Sequence, residues 1–170
     1  MLKKATMVIY ILVFLVPWGC FSGYATTDGQ NYDAAKTLQN LINYEIDSSF
    51  LLNQCFDNLK SKNIKENIAK MKEECEENIK TLSSLIQKYG GEVPSYEKDF
   101  KGFLMEGYAA MRGSLTDQGA LKALHTNQKF ILKAFESALD SRLPEDAKGK
   151  INEIVERKKE NIKRIEKQIG

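Results

Sequence analysis

Between Ile64 and Tyr89 a series of apolar residues, Ile64, Ile68, Met71, Cys75, Ile79, Leu82, Ile86 and Tyr89, recurs with each three or four positions after the last. Only an α-helix with one face turned inward brings such a series onto a single line; a strand would need a step of two. Gly90-Gly91 stops the pattern and Pro94 stands beyond it as a second breaker. A helix this long with so continuous a stripe cannot stand alone in water, so the chain must supply further stripes to bury it.

It does so three times. Leu38, Leu41, Ile42, Leu52, Cys55, Phe56 and Leu59 mark an earlier helix, whose pattern begins near Asp33 and breaks at Ser61-Lys-Asn63. Thr116-Asp117 opens another with Leu121, Leu124, Ile131, Leu132, Phe135 and Leu139. Arg142-Leu-Pro144-Glu-Asp opens the last, because proline suits a first helical turn and acids there complement the helix dipole. Its stripe is Ile151, Ile154, Val155, Ile162, Ile165 and Ile169. Between the second and third long helices, Tyr96 to Gly113 mixes aromatic residues with Gly102, Gly107 and Gly113, the composition of a shorter crossing helix. The expected fold is all-α: four long amphipathic helices as an up-down hairpin, a crossover, and another hairpin.

The first 25 residues follow a different rule. Met1-Leu-Lys-Lys4, an apolar run from Ala5 to Gly19 and Gly23-Tyr24-Ala25 have the order of a secretory signal peptide. Cleavage after Ala25 would leave residues 26–32 as a flexible leader and 33–169 as one helical domain in the periplasm or another extracytoplasmic space. Two alternatives stand beside it: retention as a membrane anchor, and lipid attachment at Cys20. Membrane contact is expected only in those two cases. Removing residues 1–25 takes away Lys3 and Lys4, two of the 25 basic side chains, and none of the 23 acidic ones, so the remainder is formally neutral. Its charges are interspersed with no basic stripe, which argues against nucleic-acid partners. Cys55 and Cys75 are expected as buried free thiols. With a chain reversal near Lys62, Cys75 stands about 9 Å further along its helix than the residue level with Cys55, and a disulfide needs Cα atoms closer than about 7 Å.

Leu38-Gln-Asn-Leu-Ile42, Leu85-Ile-Gln-Lys-Tyr-Gly-Gly-Glu-Val-Pro94, Gly107-Tyr108 with Gly113-Ser-Leu115, and Lys133-Ala-Phe-Glu-Ser-Ala-Leu-Asp-Ser-Arg-Leu-Pro144 together give the chain its resemblance. In their order and spacing they resemble a bacterial ferritin-like four-helix-bundle family catalogued as a domain of unknown function. The resemblance implies a ferritin-like bundle and no particular activity. It also implies acidic positions on the first and third long helices and a histidine on the fourth, where this chain has Ser49, His125 or Gln128, and Asn161.

A di-iron bundle uses a Glu from each of two helices and Glu-x-x-His from each of the other two. This chain has one histidine, His125, preceded three residues earlier by Lys122, so no cofactor is expected. What interrupts the stripes instead is a set of polar residues. Glu45 and Ser49 fall on the inward side of the first helix, and Asn78 lies level with them on the second. Reflection about Leu143 sets Gln128 level with Lys158 and His125 level with Asn161. If the hairpins align, these seven form a polar layer at mid-bundle with Lys158 opposite Glu45, where the lysine charge replaces that of a metal pair; a small helix rotation would instead leave Lys158 or Glu45 at the surface and His125, Gln128 and Asn161 as polar boundary residues. The functional expectation is an exported, non-enzymatic bundle that binds a protein or small-molecule partner, such as an envelope stress-related module, with the Tyr96 to Gly113 stretch as a lid over the bundle or, alternatively, a patch for self-association. The alternative is a metal-binding or redox protein with a degenerate site at His125 and Glu45 or Glu74. A hydrolytic or acyl-transfer enzyme lacks its ingredients, since neither a cysteine–histidine activation motif nor a nucleophile elbow is present.

Overall fold

A computed structural model of the chain describes residues 25–95 and 116–169. Nearly all of the expected signal peptide and the expected crossing helix from Tyr96 to Gly113 lie outside the described residues. Those residues form four helices and no strand: α1 (Ala25–Asn58), α2 (Lys62–Lys88), α3 (Asp117–Leu139) and α4 (Glu145–Ile169). None of the four is long and apolar enough to cross a membrane.

α1 begins earlier than its apolar stripe does. Residues 26–32, expected as a flexible leader, continue the helix, and Asp33 lies inside it rather than at its cap. The stripe marks only where a helix finds a partner to pack on, and a first turn can run on beyond that point. The other termini follow from local chemistry. Thr116 caps α3, its hydroxyl accepting from the Gly119 N–H at 3.1 Å. α2 ends in a Schellman arrangement: the Gly91 N–H reaches the Ile86 carbonyl at 2.9 Å and the Gly90 N–H reaches that of Gln87 at 3.0 Å. Gly90 takes φ +75°, which a side chain would resist. Gly91 is confined for another reason, because a Cβ there would lie 2.8 Å from that of Ala35 on α1.

Helix directions follow from the contacts at the two ends. Asp117, in the first turn of α3, accepts the N–H groups of Lys60 and Ser61 at 3.0 and 2.9 Å, so α3 starts beside the α1–α2 turn. Asp146, in the first turn of α4, accepts from Lys88 Nζ at 2.6 Å and from the Tyr89 hydroxyl at 2.7 Å, so α4 starts where α2 ends. Gln118 Nε2 donates to the Gln168 carbonyl at 2.9 Å, bringing the end of α4 back to the start of α3. α1 therefore runs antiparallel to α2 and α3, and α4 antiparallel to α2 and α3. The link from α2 to α3 joins opposite ends of the bundle. Around the square the order is α1, α2, α4, α3, leaving α1 and α4 on one diagonal. Leu38, Ile42, Ile68, Leu82, Leu124, Ile131, Phe135 and Ile151 fill the interior with no more than trace exposure.

The two first-turn acids give the bundle an acid-sensitive seam. Hydrogen bonds from the Lys60 and Ser61 backbone hold the Asp117 carboxyl below its usual range, and those from Lys88 and Tyr89 do the same for Asp146. A depressed folded-state value means that each clamp contributes fully above the unfolded aspartate value of about 3.9 and is lost as pH falls below it. Stability measured by urea unfolding is expected to decline on acidification through that window. The decline should be shallower in Asp117→Asn and Asp146→Asn, and identical acid limbs for variants and parent would remove both clamps as its cause.

Candidate functional site: a polar tier inside the bundle

Halfway along the bundle the apolar packing gives way to Glu45, Ser48, Asn78, Asn127, Gln128, Lys158 and Asn161, all at most 5% exposed. Each helix contributes. Lys158 reaches from α4 across the diagonal to α1, where its Nζ lies 2.5 Å from Glu45 Oε1 and 5.2 Å from the centre of the Phe135 ring. Asn78 Nδ2 donates to Glu45 Oε2 at 3.4 Å, and the Cys75 thiol donates to the Glu45 backbone carbonyl at 3.2 Å. On the other side Gln128 Nε2 donates to Ser48 Oγ at 2.8 Å.

Toward the α2–α4 seam the tier continues into charged groups of intermediate exposure. Arg157 Nη2 donates to Asn78 Oδ1 at 2.8 Å. Asn161 Nδ2 and Arg164 Nη2 donate to the two oxygens of Glu74 at 2.7 and 3.1 Å. Both interior carboxylates thus meet a cation, Glu45 through Lys158 and Glu74 through Arg164. This is the condition under which buried charge is tolerated. Three acceptors of the tier remain incompletely used: Asn127 Oδ1 and Asn161 Oδ1 receive no hydrogen bond, and Glu45 Oε1 touches the ammonium without a well-directed one. Glu45 and Asn161 border a void of about 10 Å³, bounded also by Ser48, Cys75, Asn78, Gln128 and Lys158.

Of the seven residues singled out from sequence, five are brought together: Glu45, Asn78, Gln128, Lys158 and Asn161. Ser49 is half-buried and its neighbour Ser48 takes the inward place. His125 is a correction. It stands at the edge of the bundle with 23% of its side chain exposed, Nε2 2.9 Å from Glu166 Oε1, away from the level expected for it. That partner comes later on α4 than Asn161, the residue expected opposite, so reflection about Leu143 places Gln128 in the tier and misplaces His125. Glu74 and Arg157 belong to the charged runs 70–77 and 156–160, which read in the sequence as solvated faces, and here both turn into the α2–α4 seam; nothing in the sequence points to Arg164 or Asn127.

Among the described residues no three His, Cys, Asp or Glu side chains converge as metal ligands. A carboxylate-bridged di-metal centre does not fit here: α4 presents Lys158-x-x-Asn161 where Glu-x-x-His would be needed, α2 presents Cys75-x-x-Asn78, and the ammonium already neutralises Glu45. The two thiols are free and buried. Burial, and then the charge of Asp117, push Cys55 up to about 12; burial, and then the charge of Glu45, raise Cys75 well above the usual thiol value. Both are kept in the unreactive protonated form.

The described residues thus form a four-helix bundle built around a charge-balanced polar tier. The chain belongs to the family described as Domain of unknown function (DUF2383), which matches residues 33–141, more than half of its length. No curated protein matches the chain.

Lys158→Met is expected to destabilise the fold by about 3–5 kcal/mol in urea unfolding, the usual consequence of stranding a buried charge, and Glu45→Leu on the same chain should return most of that loss. Additive effects of the two substitutions would mean that the pair is not coupled. A thiol reagent in mildly alkaline buffer is expected to leave Cys55 and Cys75 untouched in the folded protein and to modify both after unfolding. Prompt labelling of either in the folded state would contradict its burial.

Proposed function

We propose that the chain is an exported ferritin-like helical bundle that acts by binding a partner through its surface, as a binding or envelope stress-related module, and performs no chemistry in its interior. Two antiparallel hairpins joined by a single end-to-end connection are the layout of ferritin-like bundles, and the helix directions support that reading. The observation that carries the functional part is the Lys158–Glu45 ion pair. At the level where such a bundle gathers carboxylates around metal, this chain uses its interior to neutralise itself.

Export is supported by the basic start, apolar run and small-residue boundary of residues 1–25, and a partner other than nucleic acid by the balanced, interspersed charge of residues 26–170. A second reading, a metal-binding or redox protein, rests on the His125–Glu166 pair at the bundle edge, a two-ligand set that another copy would have to complete.

The test combines two measurements on protein from cells grown in metal-supplemented medium. Intact mass of the extracytoplasmic fraction is expected to begin at Thr26, and elemental analysis is expected to find no stoichiometric transition metal. A cytoplasmic chain that keeps Met1 would end the export reading, and one metal per chain would move the case to the second reading.

A further inference from the structure

The head group of Lys158 has a receptor of its own. Glu45 supplies a fully buried carboxylate 2.5 Å away, and Phe135 an aromatic face at 5.2 Å. Asn161 offers a buried carbonyl oxygen that no group satisfies, on the same small void as Ser48. A carboxylate and a ring face are a recognition set for an ammonium, and the Asn161 oxygen, which Nζ does not bond, lines the void beside them. They are a poor set for a hard divalent cation, which takes six or more oxygens and several carboxylates, and Glu74, the second carboxylate, is already held by Arg164 and Asn161.

We infer that the polar tier is a binding site for a primary alkylammonium group, which the chain fills with Lys158 as a tethered ligand. The tether makes occupation intramolecular, so no free amine competes at ordinary concentrations. The site also refuses metal, because entry of a divalent ion would place a second positive charge beside Nζ. This goes beyond the proposed function, which turns on export and surface binding and would survive if the tier failed to bind amines.

Lys158→Ala removes the equivalent of n-propylammonium and keeps Cβ. In the mature chain carrying this substitution, Cys75, which borders the same void, is expected to be alkylated roughly 100-fold faster or more than in the parent, as read by peptide mapping, because loss of about 3 kcal/mol raises the open population by that ratio. Added n-propylammonium should restore protection saturably and raise the melting midpoint, whereas tetramethylammonium and Mn²⁺ should do neither. Should the variant not fold alone, refolding in n-propylammonium is expected to recover it. Lys158→Ala with Glu45→Leu should fold and ignore the amine. Unchanged Cys75 protection in Lys158→Ala, rescue by Mn²⁺ as good as by the amine, no rescue by the amine at all, or equal rescue of the double variant would each overturn the inference.

Discussion

The interior of this bundle depends on one charge crossing its diagonal. Lys158 and Glu45 belong to helices that do not share a face, so the lysine stem must traverse the core to bring Nζ to the carboxylate. Leucine and isoleucine layers above and below are chemically interchangeable, and by themselves they would accept a helix slipped by one turn. Such a slip moves Nζ by about 5.4 Å, leaving two buried charges without partners. The ion pair contributes little net stability over an apolar filling, yet it makes every other register of α4 far worse. The remaining tier residues then find their level because α4 has been fixed: Asn161 meets Glu74, and Arg157 meets Asn78.

The ends of the bundle repeat that logic on a smaller scale. Asp117 and Asp146 each sit in the first turn of a helix of the second hairpin and take donors from the first hairpin, one at its turn and the other at the end of α2. Neither bond is deeply buried, so each adds little energy, and the Lys88–Asp146 pair in particular is well exposed. Their value lies in position. With the centre held by the diagonal pair, a contact at each end prevents α3 and α4 from pivoting about it. The close approach of Gly91 to Ala35 seals the end where α2 finishes in the same way, since no side chain at 91 would let it stop so near α1.

Much of this was legible in the sequence, and the misses have a common geometric cause. Residues seven apart on a helix share a line along the bundle axis. Glu45 lies between Leu38 and Leu52, Asn78 between Met71 and Leu85, Gln128 between Leu121 and Phe135, and Lys158 between Ile151 and Ile165, all of them buried. Ser48 has Leu41 and Cys55 in the same relation and Ser49 has Ile42 and Phe56, so the sequence does not choose between them; packing does, since Phe56 is only half-buried. His125 has exposed Gln118 on one side and half-buried Leu132 on the other, the mark of a boundary position. Reflecting one helix onto its neighbour assumes a register and says nothing of rotation, which is why His125, expected in the tier, stands at the bundle edge beside Glu166. Arg157 and Arg164 escaped notice because long side chains keep their heads near solvent while their stems lie along the seam.

The family match stops at residue 141, before α4 begins. Glu45, Ser48, Asn78 and Gln128 therefore lie inside the matched region, and Lys158 and Asn161 lie outside it. Three helices without the fourth would leave the Glu45 carboxylate facing an open groove with only the amide of Asn78 and the nearby thiol for company. A carboxylate in that setting demands a cation from somewhere, and α4 delivers one on a side chain long enough to cross the core. The last helix is thus part of the same folding unit as the first three, joined to them by electrostatic necessity as well as by its isoleucine stripe. The charge that balances Glu45 is therefore carried by the chain itself, on the helix that opens at Glu145.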